Sequence, residues 1–315
     1  GDAGVEGWMN APVLTDHPDE EFAESVGACL NYLLNTKKYT CIYEYSLFPE
    51  PEGVIHDMDK YKNICELVTA NLEKYGIEDR LLFSGPADYN NDPEVYESKY
   101  LSKIDYEKAT SSVYAFSNES TDEEMLKFAQ EYSTVCDRYG ISWGIAESGT
   151  SNFETAVSNS DSDTYERALF MARFMINMIN GGCTNIKYFV FSDCYYDGNL
   201  NELGLFRFKY DNWKAKPVWY SWSLITRYTD FGSEIYPIAS SAEGVSAVAF
   251  KLPGGAWSYM LTNSSSSTKR VAIVNTRDDR PEKLNLYRLT GSSVPENGAL
   301  ELIAKSDEIS AENMA

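Results

Sequence analysis

Histidine is almost absent from this 315-residue chain, which holds only His17 and His56. A Ser-His-Asp triad or a histidine-rich metal centre has little material here, so acid–base chemistry falls to carboxylates. Cysteine is sparse as well. Cys29, Cys41, Cys65, Cys136, Cys183 and Cys194 are too few for a disulfide scaffold, and none forms a C-x-x-C pair of the kind that holds zinc. Most of them occupy apolar positions in expected helices or strands and read as buried free thiols; no metal and no cofactor is expected. Positive charge is scarce, with 27 Lys+Arg against 48 Asp+Glu and a formal net charge of −21. Such a surface lacks the cationic footprint that nucleic-acid binding requires. It equally disfavours anionic membranes and polyanionic substrates, and suits a neutral partner such as a carbohydrate. Long apolar runs are missing too. Ala168–Ile179, the most apolar helical stretch, contains Arg173 and falls short of the roughly 18 to 20 residues that span a bilayer. The amino terminus shows no basic segment followed by an apolar one. An extracellular or periplasmic location, the expected one, would need a signal upstream of Gly1; a cytoplasmic location is left open.

What is present is alternation. A helical stripe (Phe22, Val26, Leu30, Leu33, Leu34) follows Pro18 and the acidic Asp19, Glu20 and Glu21, and leads to an extended run, Tyr39–Phe48. A second stripe (Tyr61, Ile64, Cys65, Val68, Leu72, Tyr75) precedes a short strand at Leu81–Ser84. Ser111–Phe116 reads as another strand. A third stripe (Leu126, Ala129, Tyr132, Cys136, Tyr139) leads into Ile141–Ala146, and a fourth helix, Asp163–Asn180, precedes Ile186–Phe191. A fifth helix starts near Pro217. Two of the helices end in Tyr-Gly-Ile, at Tyr75–Ile77 and Tyr139–Ile141, where glycine supplies a left-handed cap. Strand and helix alternating about every 30 residues imply βαβ units and a parallel sheet, with a (β/α) barrel as the leading architecture.

After Thr229 the pattern becomes antiparallel. Glu234–Ile238, Val245–Leu252, Trp257–Thr262, Arg270–Asn275 and Lys283–Leu289 read as strands separated by turn chemistry such as Pro253-Gly254-Gly255. The expected division is a (β/α) barrel over 1–229 and a small β-sandwich over 230–315. A closed barrel needs eight strands and about 250 residues, whereas the barrel part yields only five. The fold class expected is therefore α/β, a TIM barrel represented by strands four to eight, with a sandwich missing its last strand. A chain so truncated is expected to be poorly active alone, because an open arc exposes unpaired edges.

Two glutamates stand where strands meet loops. Glu50 follows the extended run and lies between Pro49 and Pro51; Glu147 ends the apolar strand Ile141–Ala146 and is followed by Ser148-Gly149. Carboxyl ends of barrel strands are where catalytic groups gather. The 97 residues from Glu50 to Glu147 make three units of about 32, which would set the pair facing across a barrel mouth. Two carboxyl groups roughly 5 to 5.5 Å apart perform retaining glycoside hydrolysis, one protonated as the acid and one ionised as the nucleophile. Glu44 and Glu52 are rival carboxylates; Glu44 shares its strand parity with Glu50.

Taken together, the Glu-Pro after one strand, the strand-ending glutamate in Trp143-x-x-x-Glu147-x-Gly149 and the run Lys216-Pro217-x-Trp219-Tyr220 resemble the large clan of retaining glycoside hydrolases. The resemblance implies a (β/α)₈ barrel, with Glu50 as acid/base after strand four and Glu147 as nucleophile on strand seven. Pro49 stands where the clan usually has an asparagine that binds the sugar 2-hydroxyl, and Tyr114 is what remains of its strand-six constellation. A second class of function, a non-catalytic carbohydrate-binding relative, is consistent with Pro49. A third is a barrel enzyme of other chemistry using one glutamate as general base.

Candidate substrate-binding residues are Trp8, Tyr114, Tyr195, Tyr196 and Asp193. Aromatic faces pack against pyranose rings, and Asp193 would orient a hydroxyl or cap a helix. Trp143, Trp219 and Trp222 read as core, and Asp88 as a turn cap.

Overall fold

The protein was described through a computed structural model covering residues 17–48, 51, 55, 57–88, 91–149, 160–196, 198–274, 281, 283–296 and 302–305. Five strands form one sheet in the order β1-β2-β3-β4-β5: β1 Glu44–Ser46, β2 Leu82–Ser84, β3 Lys108–Val113, β4 Ser142–Ser148 and β5 Cys183–Tyr188. β1 pairs parallel with β2, and β2 with β3. Helices connect them: α1 Pro18–Asn31 before β1, then α2 Met58–Tyr75, α3 Pro93–Tyr96, α4 Asp122–Asp137 and α5 Tyr165–Asn180; α6 Pro217–Arg227 follows. The result is the α/β parallel half-barrel the alternation implies. The chain divides into two compact units, 1–112 with 134–146 and 113–133 with 147–315.

In the first unit α2 explains itself. Asp57 caps its amino end, accepting from the Asp59 and Lys60 amides at 3.0 and 3.1 Å. Gly76 closes it at φ +63°, and Gly140 repeats that left-handed cap at +67°. The face between them is the expected stripe, with Tyr61, Ile64, Cys65, Val68 and Leu72 all buried. α1 turns differently from expectation: Ala23 and Gly27, rather than Phe22 and Val26, are its buried positions. A Cβ at Gly27 would lie 2.9 Å from Asn71 Cβ on α2, so the small residue sets the close helix approach. Tyr45 stacks on Phe83 at 5.0 Å across the β1–β2 register.

Polar side chains on both faces of β3 are paired internally. Lys108 and Glu44 form a buried ion pair at 2.8 Å, Thr110 Oγ1 donates to the Gly85 carbonyl, and Ser111 Oγ donates to the Asp88 carbonyl at 3.2 Å. These bonds correct the reading of β3. The strand runs Lys108–Val113 rather than Ser111–Phe116, because Lys108, Thr110 and Ser111 are buried by pairing and carry no apolar periodicity. Tyr114 consequently lies one residue past the strand.

In the second unit α4 begins with a reciprocal capping box, Thr121 and Glu124. Its buried stripe is Met125, Phe128, Ala129, Tyr132, Val135 and Cys136, so Leu126 and Tyr139 of the expected stripe stand outside it. Arg173, the charge interrupting the apolar run of α5, donates to Asp122 Oδ1 and to the Ser120 carbonyl, both at 2.8 Å. α5 packs on a separate antiparallel sheet of order β10-β9-β8: β8 Glu234–Ile238, β9 Val245–Lys251 and β10 Trp257–Asn263. Ile176 and Ile179 of α5 meet Val248 and Phe250 of β9 there. Two small hairpins, β6 Cys194–Tyr196 with β7 Asn199–Asn201 and β11 Asn285–Tyr287 with β12 Leu302–Lys305, complete the described strands. Residues 270–274 are not a strand, which leaves the expected Arg270–Asn275 strand unformed over its described part. No helix of the described residues is long and apolar enough to cross a membrane.

The thiols divide. Cys65, Cys136 and Cys183 are buried, Cys194 is half-buried, and Cys29 and Cys41 are exposed. Burial pushes Cys65 and Cys136 up to about 12, which keeps them protonated and inert.

Candidate functional site

Glu147 is the penultimate residue of β4, on the strand face that also carries Trp143 and Ile145. Those two are 1% and 0% exposed, so Trp143 is core, as read from the sequence. Glu147 itself is half-buried. Its Oε2 accepts a hydrogen bond of 3.1 Å from the Tyr114 hydroxyl, reaching over from the segment that follows β3. Two forces act on the carboxyl. Burial raises its pKa above the ordinary carboxylate value, and the Tyr114 hydroxyl, which binds the ionised form better, pulls it back.

The backbone around the pair is shaped for it. Gly149 donates its amide to the Val113 carbonyl, and a Cβ there would stand 2.8 Å from Tyr114 Cε1. Glycine lets the tyrosine ring lie across the end of β4. Ser148 Oγ donates to the Lys187 carbonyl at 2.9 Å, and the Phe189 amide donates to the Ser148 carbonyl at 3.0 Å. β5 therefore delivers the chain to the same strand end that carries Glu147. The peptide bond between Phe189 and Val190 is cis.

From that point the segment 189–216 makes an excursion before α6. Asp193, a candidate for substrate contact, is 4% exposed. Its Oδ1 accepts from Lys216 Nζ at 2.6 Å and from the Gly204 amide at 2.8 Å. Lys216 also donates to Ser162 Oγ at 3.0 Å and to the Glu202 carbonyl at 2.8 Å, which accounts for all three ammonium protons. Gly204 is required by contact: a Cβ there would meet the Asp193 nitrogen at 2.2 Å. Neighbouring Arg207 donates from Nε to Asp163 Oδ2 at 2.7 Å. Together these bonds tie Ser162 and Asp163, which lie between Glu147 and α5, to the excursion. Tyr195 is 55% exposed, and its ring meets Phe208 edge-on at 5.2 Å. Tyr196 lies in β6. Glu50, Pro49 and Trp8 lie outside the described residues.

The structure thus brings Tyr114 to Glu147 and sets Asp193 in a buried ion pair. The sequence reading did not pair Lys216 with Asp193, Ser162 with Lys216 or Arg207 with Asp163, although Lys216-Pro217 was among the residues carrying the resemblance. An amphipathic reading has no signal for a charged residue that is buried because it is paired. Of the rival carboxylates, Glu44 is committed to Lys108 and Glu52 lies outside the described residues. Asp88, read as a turn cap, is buried with Lys99 Nζ 3.6 Å from its Oδ2. Among the described residues no cluster of three or more His, Cys, Asp or Glu side chains is placed to hold a metal ion. An open cleft of about 520 Å³ belongs to the first unit, lined by Tyr39, Ile42, Tyr43 and Arg80 among others. Tyr43 and Arg80 precede the amino ends of β1 and β2, the stability end of such a sheet rather than its reactive end.

No protein-family model matches the chain, and no curated protein matches its sequence. Solved structures do match its fold. The catalytic domain of GH30 xylanase C from Talaromyces cellulolyticus superposes with a TM-score of 0.60 at 11% identity, over 90% of this chain and 62% of that one. SrfJ from Salmonella typhimurium gives 0.55 at 15% identity, over 76% and 54% of the two chains. A monomeric β-xylosidase from Caulobacter crescentus CB15 gives 0.53 at 13%, over 74% and 52%. The chain spans about half the length of the last two. Its fold is that of TIM-barrel glycoside hydrolases, with part of the barrel represented.

Proposed function

We propose that the protein is a retaining glycoside hydrolase acting on a neutral carbohydrate, with Glu147 as nucleophile and Glu50 as acid/base. The observation that carries this reading is the Glu147–Tyr114 pair at the carboxyl end of β4: a half-buried carboxylate held by one donated hydrogen bond. In the first step Glu147 attacks the anomeric carbon while Glu50 gives its proton to the departing glycosidic oxygen. In the second, water attacks the glycosyl-enzyme ester, loses its proton to Glu50 and releases Glu147 as carboxylate. Partial burial suits the nucleophile, since a poorly hydrated carboxylate attacks without first shedding a full water shell. Extracellular or periplasmic action, an appended sandwich built from the antiparallel strands, and sugar contacts from Trp8, Tyr195 and Tyr196 complete the proposal. In it Asp193 acts through the fold of the excursion.

A mechanism-based epoxide sugar analogue tests the reading. Covalent labelling of Glu147, absent in Glu147→Gln, is the expected result. Binding of sugar without labelling would assign the chain to non-catalytic carbohydrate recognition, the reading that Pro49 favours.

Tyr114 supplies a second test. In Tyr114→Phe the carboxyl loses the one contact that lowers its pKa and keeps the burial that raises it. The nucleophile then ionises at higher pH. The acid limb of the kcat/KM profile is expected to move upward by about one pH unit, matching one charge-assisted hydrogen bond of roughly 1.5 kcal/mol. A uniform loss of rate with no movement of the limb would show Tyr114 to be merely structural.

A further inference from the structure

The excursion between β5 and α6 carries a surface that the glutamate chemistry does not use. Residues 206–215 form a hairpin: Phe206 bridges Ala215 antiparallel, and the Arg207 amide donates to the Lys214 carbonyl at 2.9 Å. Its tip gathers aromatic rings around half-buried Phe208. Tyr195 stands edge-on to it at 5.2 Å and Tyr210 edge-on at 5.0 Å, with Trp213 tilted at 6.4 Å. The three outer rings are far from buried, with Tyr210 76% and Trp213 51% exposed. Three large rings more than half exposed and gathered at one hairpin tip form a contiguous apolar surface rather than scattered single residues. Phe208 underlies all three, edge-on to the two tyrosines and tilted to the tryptophan, arrangements that aromatic pairs favour.

The backbone is bent to make this surface. Asn212 and Trp213 both take the left-handed conformation at φ +55°, which is a true outlier for a tryptophan. Such strain persists only where surrounding structure enforces it, and it clusters at ligand sites. The enforcement is visible: Lys214 donates its amide to the Asp211 carbonyl at 3.2 Å, and Arg207 is anchored to Asp163. Lys209 Nζ lies 5.4 Å from the centroids of both Phe208 and Tyr210. It and Asp211 rim the rings with polar groups.

We infer that Tyr195, Phe208, Tyr210 and Trp213 form a platform for an extended neutral polysaccharide. The substrate class is thus a polymer rather than a short glycoside, a refinement that rests on the hydrolase reading. Two features select this occupant. Rings presented outward stack on the C–H faces of sugar units, and the adjacent Lys209 and Asp211 meet hydroxyl groups. A chain of net charge −21 repels polyanions and anionic bilayers.

Affinity electrophoresis in gels containing soluble arabinoxylan, mixed-linkage β-glucan or glucomannan tests this. Retardation of the wild-type chain in at least one gel is expected, with Tyr210→Ala/Trp213→Ala weakening the apparent affinity at least about tenfold. Both side chains are exposed, so the double variant should fold, and a thermal melt checks that it does. The inference is overturned if no gel retards the wild-type chain, or if the folded double variant runs as wild type. It is overturned equally if the rings prove to mediate self-association, seen as a mass change by sedimentation with retardation unaltered. Retardation is read without turnover, so it separates the two proposals. An inert chain that is retarded through these rings removes the hydrolase reading and keeps the platform, and hydrolysis without ring-dependent retardation does the reverse.

Discussion

Under the proposed hydrolase reading, Glu147→Gln is expected to lose hydrolysis by at least about 10³-fold, because an amide cannot form the glycosyl ester, and to gain stability at neutral pH. The second effect follows from the sign of the pKa shift. Burial raises the folded-state pKa of Glu147 above its unfolded value, which is about 4.3. Between those two values the native state binds more protons than the unfolded chain, so stability falls as pH rises through the folded pKa. At pH 7 the ionised, partly desolvated carboxylate is a net cost to the fold that glutamine does not carry. Thermal melts of both proteins from pH 4 to 8 should show the variant ahead at pH 7 and the gap closing as the wild-type carboxyl becomes protonated. A variant that is inactive and also less stable across the whole range would contradict the desolvation argument. Glu147→Ala with added azide identifies the role by chemistry. Azide enters the vacated space and gives a glycosyl azide of inverted configuration if Glu147 is the nucleophile, and no such product if it serves elsewhere.

How far the residues themselves disclosed this site depends on which force holds each one. The helices were legible because their determinants are local. Pro18 and Asp57 start α1 and α2, glycines at 76 and 140 stop α2 and α4, and the α2 stripe from Tyr61 to Leu72 packs as its period implies. Glu147 was legible because a carboxylate ending an apolar strand stands out against Trp143 and Ile145. The ends of β3 and β5 were displaced by three residues at both boundaries. In β3, buried Lys108, Thr110 and Ser111 are paired through partners as far away in sequence as Glu44, which no local pattern can reveal. In β5, Phe189–Phe191 looked like strand by composition but serve the excursion that follows. The platform at 208–213 did leave a trace. Phe208-Lys209-Tyr210-Asp211-Asn212-Trp213 intersperses aromatic with polar residues in a short turn, a pattern too rich in large rings for an ordinary loop. Which of those rings would face outward depends on the left-handed backbone at Asn212 and Trp213, and that is set by the hairpin.

The largest loss of stability is expected at Lys216. Its ammonium group is 2% exposed and donates to Asp193, Ser162 and the Glu202 carbonyl, while Asp193 is 4% exposed. In Lys216→Met the methionine fills much of the volume, but the Asp193 carboxylate is left in the interior with the Gly204 amide as its remaining donor to Oδ1. Breaking one side of a buried pair in this way costs about 3 to 5 kcal/mol, a fall in melting temperature on the order of 10 °C. Lys216→Arg does not repair it, because a planar guanidinium cannot point donors in the three directions an ammonium reaches. Removing both charges is a different matter. In Lys216→Met/Asp193→Asn the asparagine oxygen still accepts from Gly204 and no charge is stranded, so the double variant should recover well over half of the single variant's loss. Denaturant titrations of the two single variants and the double variant read that coupling directly. Additive losses would mean that the two groups stabilise the excursion separately and that the pair is incidental. Strong coupling would make the Lys216–Asp193 contact the pin that fixes Ser162, β6 and the start of α6 together. The hairpin that carries Phe208, Tyr210 and Trp213 would then depend on a buried charge pair between the residues that flank it, Asp193 and Lys216.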